Sequence, residues 1–208
     1  MMDNILLLPI LVPFFAGLLA LIAPKMLKGA KEAIVLLATL FNLILAIILF
    51  GKKITLNLPW ANFGLDFALR LYHFSAFIML ATAGFGLLIA LYSCAFMREK
   101  QYLNQFYSYT LISVALVNGA VLADNLVVML FFWEGLLLTL FGMIAIGRKN
   151  AFKSAIKAFV VVGIADVCLM IGIGLTGYLA KTLTISSINL PLDTLGATAF
   201  IFLMIGAI

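Results

Sequence analysis

The sequence predicts an all-α fold, namely a polytopic transmembrane helical bundle with six full spans, a partial seventh span and the N-terminus outside. Hydrophobic residues make up 66% of the 208 residues, charged residues make up 10%, and the mean hydropathy is +1.26. A soluble chain of this size has too little interior to bury so much apolar surface. The composition therefore excludes a soluble enzyme, a nucleic-acid-binding protein and a disordered linker. We expect one transmembrane domain over residues 1–208, embedded in a lipid bilayer.

Apolar stretches of about 20 residues, each long enough to cross the hydrocarbon core, recur six times along the chain. They lie at about 5–23, 32–50, 74–97, 105–123, 125–147 and 154–179. A seventh stretch, 197–208, would rise only about 18 Å as a helix, which is less than the roughly 30 Å core. We therefore expect the chain to end partway through a span. The first stretch lacks a basic segment and a small-residue cleavage site, which predicts a membrane span and not a removable signal peptide.

Lysine and arginine residues fall mainly in the loops after the first, third and fifth spans. Because basic loops stay on the cytoplasmic side, this asymmetry predicts that the N-terminus lies outside the cytoplasmic membrane. The richer side carries Lys25, Lys28, Lys31, Arg98, Lys100, Arg148, Lys149, Lys153 and Lys157, and the other side carries Lys52, Lys53, Arg70 and Lys181. In the longest loop, residues 54–58 alternate between apolar and polar, which predicts a short strand outside the membrane.

Sequence motifs for cofactors and metals are missing. The chain has no glycine-rich dinucleotide motif, no phosphate-binding loop and no Cys-x-x-Cys pair, so we expect no cofactor. Cys94 and Cys168 are interpreted as small core residues, because no histidine or further cysteine stands near them in the sequence. His73, the only histidine, is interpreted as an interfacial hydrogen-bonding residue in preference to a ligand or a proton relay. Any electron transfer would take place outside this chain.

Two carboxylates, Glu134 and Asp166, stand inside predicted spans. A charge near mid-bilayer costs on the order of 2.5–3.5 kcal/mol on insertion scales, so such residues usually have a role. Glu134 follows Asn125 by nine residues, which places it about 14 Å below the outer surface. Apolar surroundings favour its protonated form, whereas a nearby cation favours the carboxylate. A side chain that alternates between these states can carry protons. A protonated glutamate held by one interhelical hydrogen bond is the alternative interpretation.

Asp166 is predicted to share one face of its helix with Gly163, Met170, Gly174 and Gly177. The glycines on this face would let another helix approach closely and bury the acid, so a packing role and a functional role are both open. Lys157 lies nine residues before Asp166, on the opposite side of the helix, and the two cannot pair. Lys157 either extends to the cytoplasmic interface or turns inward toward the fifth span.

The segments FFWEG and KNAFKSAIKAFVVVGIADVCLMIGIGL resemble the antiporter-like subunits of respiratory complex I. That family also includes subunits of multisubunit cation/proton antiporters and of energy-converting hydrogenases of the formate-hydrogenlyase type, and the resemblance is slightly closer to the hydrogenase branch. In this family a glutamate on the fifth helix pairs with a lysine on the seventh, and the pair drives proton movement. The resemblance implies that Glu134 is this glutamate and that Lys157 and Asp166 match the family's KAF…D segment.

The chain departs from the family pattern in three places. Gly163 stands where the family often has an arginine, and Tyr72 and His73 stand where an acidic residue usually opens the third helix. The chain also stops before the seventh-helix lysine, so it resembles only the N-terminal half of such a subunit. Either a second polypeptide supplies the other half, or the chain is a truncated product. The resemblance implies a proton- or sodium-translocating subunit that assembles with other membrane subunits. The alternative is a non-conducting scaffold or a fragment.

Overall fold

A computed structural model describes residues 3–23, 29–61, 65–97, 102–147, 150–191 and 193–207. These ranges form seven α-helices and one two-stranded antiparallel sheet. The helices are α1 (Leu8–Ile22), α2 (Ala30–Leu49), α3 (His73–Phe96), α4 (Leu103–Leu122), α5 (Leu126–Ala145), α6 (Ala151–Ala180) and α7 (Thr194–Ala207), and the strands are β1 (Ile54–Ala61) and β2 (Leu65–Leu71). A 3-10 helix, Asp3–Leu7, leads into α1.

The six predicted spans are confirmed, with ends that differ by a few residues. The segment Asn4–Ile22 and helices α2 to α6 are each long and apolar enough to cross a membrane. Helix α7 is apolar but has only 14 residues, as the short seventh stretch predicted. Large apolar side chains such as Phe15, Leu37 and Leu138 are exposed along the helices. Lipid would cover these side chains, and the chain is a multi-pass membrane protein.

Helix α4 lies at the centre of the bundle, where it packs against α1, α2, α3 and α5. Half of its membrane-spanning window is buried, compared with 22% for α6. Tyr107 and Leu111 of α4 are fully buried. A glycine brings α1 close to this helix, because a Cβ atom on Gly17 would lie 3.1 Å from the carbonyl oxygen of Ser108. Helix α4 therefore contributes to two core clusters, with Leu122 in one and Tyr107 and Leu111 in the other.

A buried amide compensates for a proline inside α1. Pro13 has no N–H, so the carbonyl oxygen of Pro9 has no donor within the helix. The Nδ2 atom of Asn118 in α4 donates to this oxygen at 2.8 Å and to Oδ1 of Asn42 in α2 at 3.3 Å. Asn42 and Asn118 are 1% and 0% exposed. These hydrogen bonds link three helices inside an apolar core.

The C-terminal end of α1 is held by a second polar contact. Asn104 donates from Nδ2 to the carbonyl oxygens of Leu21 and Ala23, at 3.3 Å and 3.1 Å. Lys31 of α2 donates from Nζ to Oδ1 of the same asparagine at 2.6 Å. Carbonyl groups at the end of a helix have no partner within the helix, so Asn104 satisfies groups that would otherwise need water.

The predicted strand is confirmed, and β2, which the sequence did not predict, pairs with it. Ile54 of β1 stands opposite Leu71 of β2. The hairpin lies over the connection between α4 and α5, where the N–H of Asp124 donates to the carbonyl oxygen of Ala68 at 2.8 Å. The side chain of Asp124 accepts two hydrogen bonds from Ser186, at 2.9 Å and 2.8 Å. We call this end of the bundle, formed by β1, β2 and residues 123–125, the hairpin end.

The predicted orientation depends mainly on basic residues that the structure does not describe. Lys25, Lys28, Arg98, Lys100, Arg148 and Lys149 lie outside the described ranges. Lys153 and Lys157 are described, and both are exposed. The outside location of the N-terminus and the assignment of residues 1–208 to a single domain stay predictions.

Candidate functional site

Glu134 and Asp166 lie near the middle of α5 and α6, two helices that pack against each other. Asn125 begins α5 because its side-chain Oδ1 accepts the N–H of Val127 at 2.9 Å, which is a standard N-terminal cap. This start places Glu134 about two and a half turns into the helix. The depth predicted for Glu134 from the sequence therefore agrees with the helix bounds.

Asp166 is the most buried charged residue of the site, with 3% of its surface exposed. Its Oδ1 atom accepts a hydrogen bond from the indole Nε1 of Trp133 at 3.1 Å. Its Oδ2 atom is buried and has no hydrogen-bond partner among the described residues. Trp133 was not predicted as a site residue. Its only signal in the sequence was its position directly before Glu134.

Glu134 is half-buried, and its Oε1 atom is buried without a hydrogen-bond partner in the described part of the chain. Asp166 lies across the α5–α6 interface and accepts its hydrogen bond from Trp133, the residue directly before Glu134. Two ionised carboxylates near each other repel strongly in surroundings of low dielectric constant. A proton held by the pair removes this repulsion. The structure thus brings two of the three predicted site residues together.

Lys157, the third predicted site residue, lies apart from the other two. Its side chain is exposed, and within the described ranges it forms no hydrogen bond or ion pair. The described ion pair of the chain joins Arg70 and Asp124 at the hairpin end, with 4.0 Å between Nη1 and Oδ1. No cation of the described residues is paired with Glu134. The participation of Lys157 stays a prediction.

The predicted burial of Asp166 is confirmed, but the predicted close helix approach at the glycines of its face is wrong. Among the described residues, a Cβ atom would meet nothing within 4 Å at Gly163 or Gly174, and at Gly177 it would meet Leu183 of the following loop. The close helix approach occurs at Gly172, where a Cβ atom would lie 2.7 Å from the backbone nitrogen of Leu203 in α7. The buried positions of α6 are Ala155, Asp166, Leu169, Gly172, Ile173 and Thr176. Helix α7 therefore packs on α6 at Leu169 and Gly172, to one side of the predicted face.

A cavity of about 290 Å³ lies between α4, α5 and α6. It is lined by Ser113, Trp133, Leu136, Leu137, Thr139, Leu140, Met143 and Val162. The hydroxyl of Ser113 donates to Oγ1 of Thr139 at 2.8 Å, and the Thr139 hydroxyl donates to the carbonyl oxygen of Leu136 at 2.9 Å. The lining is mostly apolar, and both hydroxyls already donate hydrogen bonds within the protein, so the cavity is suited to apolar groups more than to water.

The reactive groups of the described site are carboxylates. No group of three or more His, Cys, Asp or Glu side chains that could hold a metal ion occurs among the described residues. Cys94 and Cys168 are free thiols on α3 and α6. Two carboxylates and one indole donor can form hydrogen bonds and exchange protons.

Two family profiles match the chain. Residues 58–107 match the family described as "NADH-Ubiquinone oxidoreductase (complex I), chain 5 N-terminus". Residues 123–208 match the family described as "NADH:quinone oxidoreductase/Mrp antiporter, TM". The second match contains Trp133, Glu134 and Asp166, so the whole site lies within it.

Individual relatives are subunits of Na(+)/H(+) antiporters and of NADH-quinone oxidoreductases. A Na(+)/H(+) antiporter subunit of Bacillus subtilis (strain 168) is 28% identical over 205 residues, which cover 96% of this chain and 42% of that protein. An NADH-quinone oxidoreductase subunit of Buchnera aphidicola subsp. Acyrthosiphon pisum (strain APS) is 36% identical over 114 residues, which cover 53% of this chain and 18% of that protein. The chain thus spans less than half the length of these relatives.

Solved structures share the fold along nearly the whole chain. Respiratory complex I from Thermus thermophilus superposes with a TM-score of 0.83 and 18% identity, covering 97% of this chain and 43% of that one. The Mrp complex from Dietzia sp. DQ12-45-1b superposes with a TM-score of 0.83 and 19% sequence identity. The match covers 97% of this chain and 23% of that one. The archaeal membrane-bound sulfane sulfur reductase superposes with a TM-score of 0.80 and 18% sequence identity. The match covers 98% of this chain and 43% of that one.

The two profile matches, the relatives and the shared fold lead to one assignment. The chain belongs to the antiporter-like membrane subunit family that complex I and the Mrp antiporters share, and it corresponds to the N-terminal portion of that family.

Proposed function

We propose that this chain forms the N-terminal part of an ion-translocating subunit in a multisubunit membrane complex, and that Glu134 accepts and releases the transported proton. The main support is the buried Oε1 atom of Glu134, which has no partner among the described residues, together with a second buried carboxylate, Asp166, that is hydrogen-bonded to the preceding residue, Trp133. An unpaired carboxylate inside a membrane is costly, and proton exchange is the reaction it can perform. Relatives named as Na(+)/H(+) antiporter and NADH-quinone oxidoreductase subunits support the same proposal.

Glu134 and Asp166 form a pair that can hold one proton and pass it between them. A cation that approaches Glu134 favours its carboxylate form and releases the proton, and withdrawal of the cation favours protonation again. Because no described cation is paired with Glu134, we propose that a lysine from the remainder of the subunit performs this step. That lysine lies on the same chain or on a second polypeptide. Asp166 extends the path, and Lys157 tunes it from the cytoplasmic side.

The proposed location is the cytoplasmic membrane, with the N-terminus and the hairpin end outside. The asymmetry of lysine and arginine supports this orientation. Where the complex carries out a redox reaction, that reaction belongs to partner subunits. The chain contributes the transport of a proton, or of a sodium ion exchanged for a proton, as in the hydrogenase, complex I or antiporter branch of the family.

Replacement of Glu134 by glutamine in the assembled complex tests the proposal. Glutamine keeps the size of the side chain but cannot carry a proton, so ion translocation in sealed membrane vesicles should fall by about 100-fold or more, as for other lost acid–base groups. Glu32→Gln is the matched control, because Glu32 lies in the first turn of α2, far along the chain from the α5–α6 site. Complex assembly, followed by native electrophoresis, should be unchanged in both variants.

A non-conducting scaffold is the second candidate function. The lack of a described cation beside Glu134 favours it, because such a glutamate has no partner to switch its protonation. A scaffold predicts that Glu134→Gln leaves ion coupling intact in the assembled complex. Unchanged translocation in a fully assembled variant would therefore exclude the proton-carrying role.

A further inference from the structure

We infer that a cavity at the base of the hairpin binds the headgroup of an anionic phospholipid, and that Lys53 and Arg70 hold its phosphate diester. The volume of this hairpin cavity is about 310 Å³, within the range of roughly 300–1,000 Å³ for small-molecule sites. It is lined by Lys53, Ile54, Thr55, Arg70, Leu71, Tyr72 and His73. None of these residues belongs to α5 or α6, so the inference goes beyond the proposed transport function and does not depend on it.

The pairing of β1 with β2 explains why polar side chains line the hairpin cavity. Directly opposed residues of antiparallel strands share a face of the sheet, and successive residues alternate between the faces. Ile54 stands opposite Leu71, which is fully buried, so their face is directed into the protein. Thr55 stands opposite Arg70, and this pair therefore lies on the outer face. Lys53, directly before β1, is exposed and lines the same cavity.

The charge of the hairpin cavity favours an anion. Lys53 and Arg70 are both cations, and no carboxylate is among the described lining residues. Lys53 forms no described hydrogen bond or ion pair. Arg70 forms one described ion pair, at 4.0 Å to Asp124, and its side chain is 40% exposed. Such an exposed pair is weak, and only Nη1 of Arg70 takes part in it. The other N–H groups of the guanidinium can donate to a phosphate.

Neighbouring side chains orient the arginine and supply further donors. The guanidinium carbon of Arg70 lies 5.2 Å from the centre of the Tyr72 ring. This cation–π contact is favourable and restricts the directions that the guanidinium can take. The hydroxyls of Thr55 and Tyr72 and the imidazole of His73 also line the cavity, and each of these groups can donate a hydrogen bond to a phosphate oxygen.

The position of the hairpin cavity selects a lipid over a free anion. Helix α2 ends at Leu49 and α3 begins at His73, and these two membrane-spanning helices pack against each other. The residues that follow one span and precede the next lie at the same bilayer surface, at the level of the headgroups. Phe74 and Phe77, in the first turns of α3, are exposed. Acyl chains can pack on these rings while the headgroup occupies the cavity.

Thermal unfolding of the full 208-residue chain in detergent micelles, with lipid added in steps, tests the inference. A lipid that binds only the folded chain raises the unfolding temperature, and the dependence on lipid concentration gives a dissociation constant. Dioleoylphosphatidylglycerol should bind at least about 10-fold more tightly than dioleoylphosphatidylcholine, because basic residues attract a headgroup with a net negative charge. The two lipids share acyl chains and a phosphate diester, so equal affinities would overturn the inference.

Replacement of the two cations locates the binding site. Lys53→Gln and Arg70→Gln should each weaken phosphatidylglycerol binding about 5-fold and leave phosphatidylcholine binding unchanged. Arg70→Lys, which keeps the charge, should recover most of this loss. Lys53→Gln changes an exposed side chain without a described partner, so it tests the site independently of the pair between Arg70 and Asp124. Unchanged phosphatidylglycerol binding in Lys53→Gln and Arg70→Gln would overturn the inference.

Lys181→Gln is the matched control for the loss of one positive charge. Lys181 follows α6 and lies three residues before Thr184, which pairs with Asn125 at the hairpin end. It does not line the hairpin cavity, so this variant should bind phosphatidylglycerol as the unmodified chain does. A loss equal to that of Lys53→Gln would mean that the lipid responds to the general charge of this end of the bundle, which would overturn the inference.

Inorganic phosphate distinguishes a lipid site from a site for the anion alone. A large excess of inorganic phosphate should not displace phosphatidylglycerol, because the contact of the acyl chains with α3 also contributes to binding. Displacement by inorganic phosphate would show that the hairpin cavity binds the anion without its acyl chains, and would overturn the assignment to a lipid.

Discussion

The α1–α4 region and the α5–α6 interface both bury polar side chains, and they differ in the chemical nature of the buried atoms that have no described hydrogen-bond partner. Around α4 the buried side chains with an unpartnered atom, Asn42 and Asn118, are neutral amides, and Asn118 supplies the donor that Pro13 removes from α1. Between α5 and α6 the groups are carboxylates, and Glu134 and Asp166 each keep one buried oxygen without a described partner. The asparagines Asn42 and Asn118 also have one such atom each, but desolvation of an amide costs far less than that of a carboxylate.

The buried amides around α4 stabilise the fold, whereas the unpartnered carboxylates between α5 and α6 destabilise it. Proteins keep destabilising polar groups mainly where function requires them. Replacement of an unpartnered buried group by leucine should therefore change stability in opposite directions in the two regions, which the first two predictions below test. The other two predictions concern the contacts of α6 with α7 and of α4 with α5. Each refers to reversible unfolding of the full 208-residue chain in detergent micelles or bilayers.

Replacement of Glu134 by leucine should have the largest effect and should stabilise the protein. Removal of an unpaired carboxyl group from an apolar helix contact should raise the free energy of unfolding by about 2–3 kcal/mol. The same variant should lose ion translocation. The control is Glu32→Leu at the end of α2, where little stabilisation is expected. A loss of stability in Glu134→Leu would show that this side chain is satisfied in the folded protein.

Replacement of Asn118 by leucine should change the free energy of unfolding in the opposite direction and destabilise the protein. The carbonyl oxygen of Pro9 and Oδ1 of Asn42 both lose their donor, which should lower the free energy of unfolding by about 2 kcal/mol. Pro13→Ala in the same chain should recover much of this loss, because the new N–H can donate to Pro9 within the helix. Equal losses from Asn118→Leu with and without Pro13→Ala would contradict the proposed compensation.

Replacement of Gly172 by alanine should disturb the packing of α6 on α7. The added Cβ atom would lie 2.7 Å from the backbone nitrogen of Leu203, so the helices must separate, at a cost of about 1–2 kcal/mol. Gly174→Ala is the matched control on the same helix, because its Cβ atom would meet nothing within 4 Å. Comparable destabilisation in the two variants would indicate helix propensity and not helix contact as the cause.

Replacement of Ser113 by alanine should have the smallest effect. The hydrogen bond from Ser113 to Thr139 links α4 to α5 at 2.8 Å, and interhelical bonds of this kind contribute about 0.6 kcal/mol on average in membranes. A double-mutant cycle with Thr139→Val measures this contribution. Additive effects of the two substitutions would mean that the hydroxyls do not interact in the folded protein.

Several elements were predictable because they follow from local composition. A bilayer requires about 20 apolar residues per span, so the helices α1 to α6 could be located from hydropathy alone. Ionisable residues inside such stretches are conspicuous, which is why Glu134 and Asp166 were identified. The strand β1 was visible as an alternation of apolar and polar residues. Its partner β2 was missed, because residues 65–71 were interpreted only as part of a loop.

The amino-acid sequence by itself determined that this is a multi-pass helical membrane protein with two acids inside its spans, because chain length and hydropathy must match the bilayer wherever the helices lie. Only the tertiary structure decided which groups meet. It selected Trp133 as the donor to Asp166 and Gly172 as the contact with α7. Helical periodicity places candidates on both sides of Asp166, and the choice between them depends on where the neighbouring helices pack.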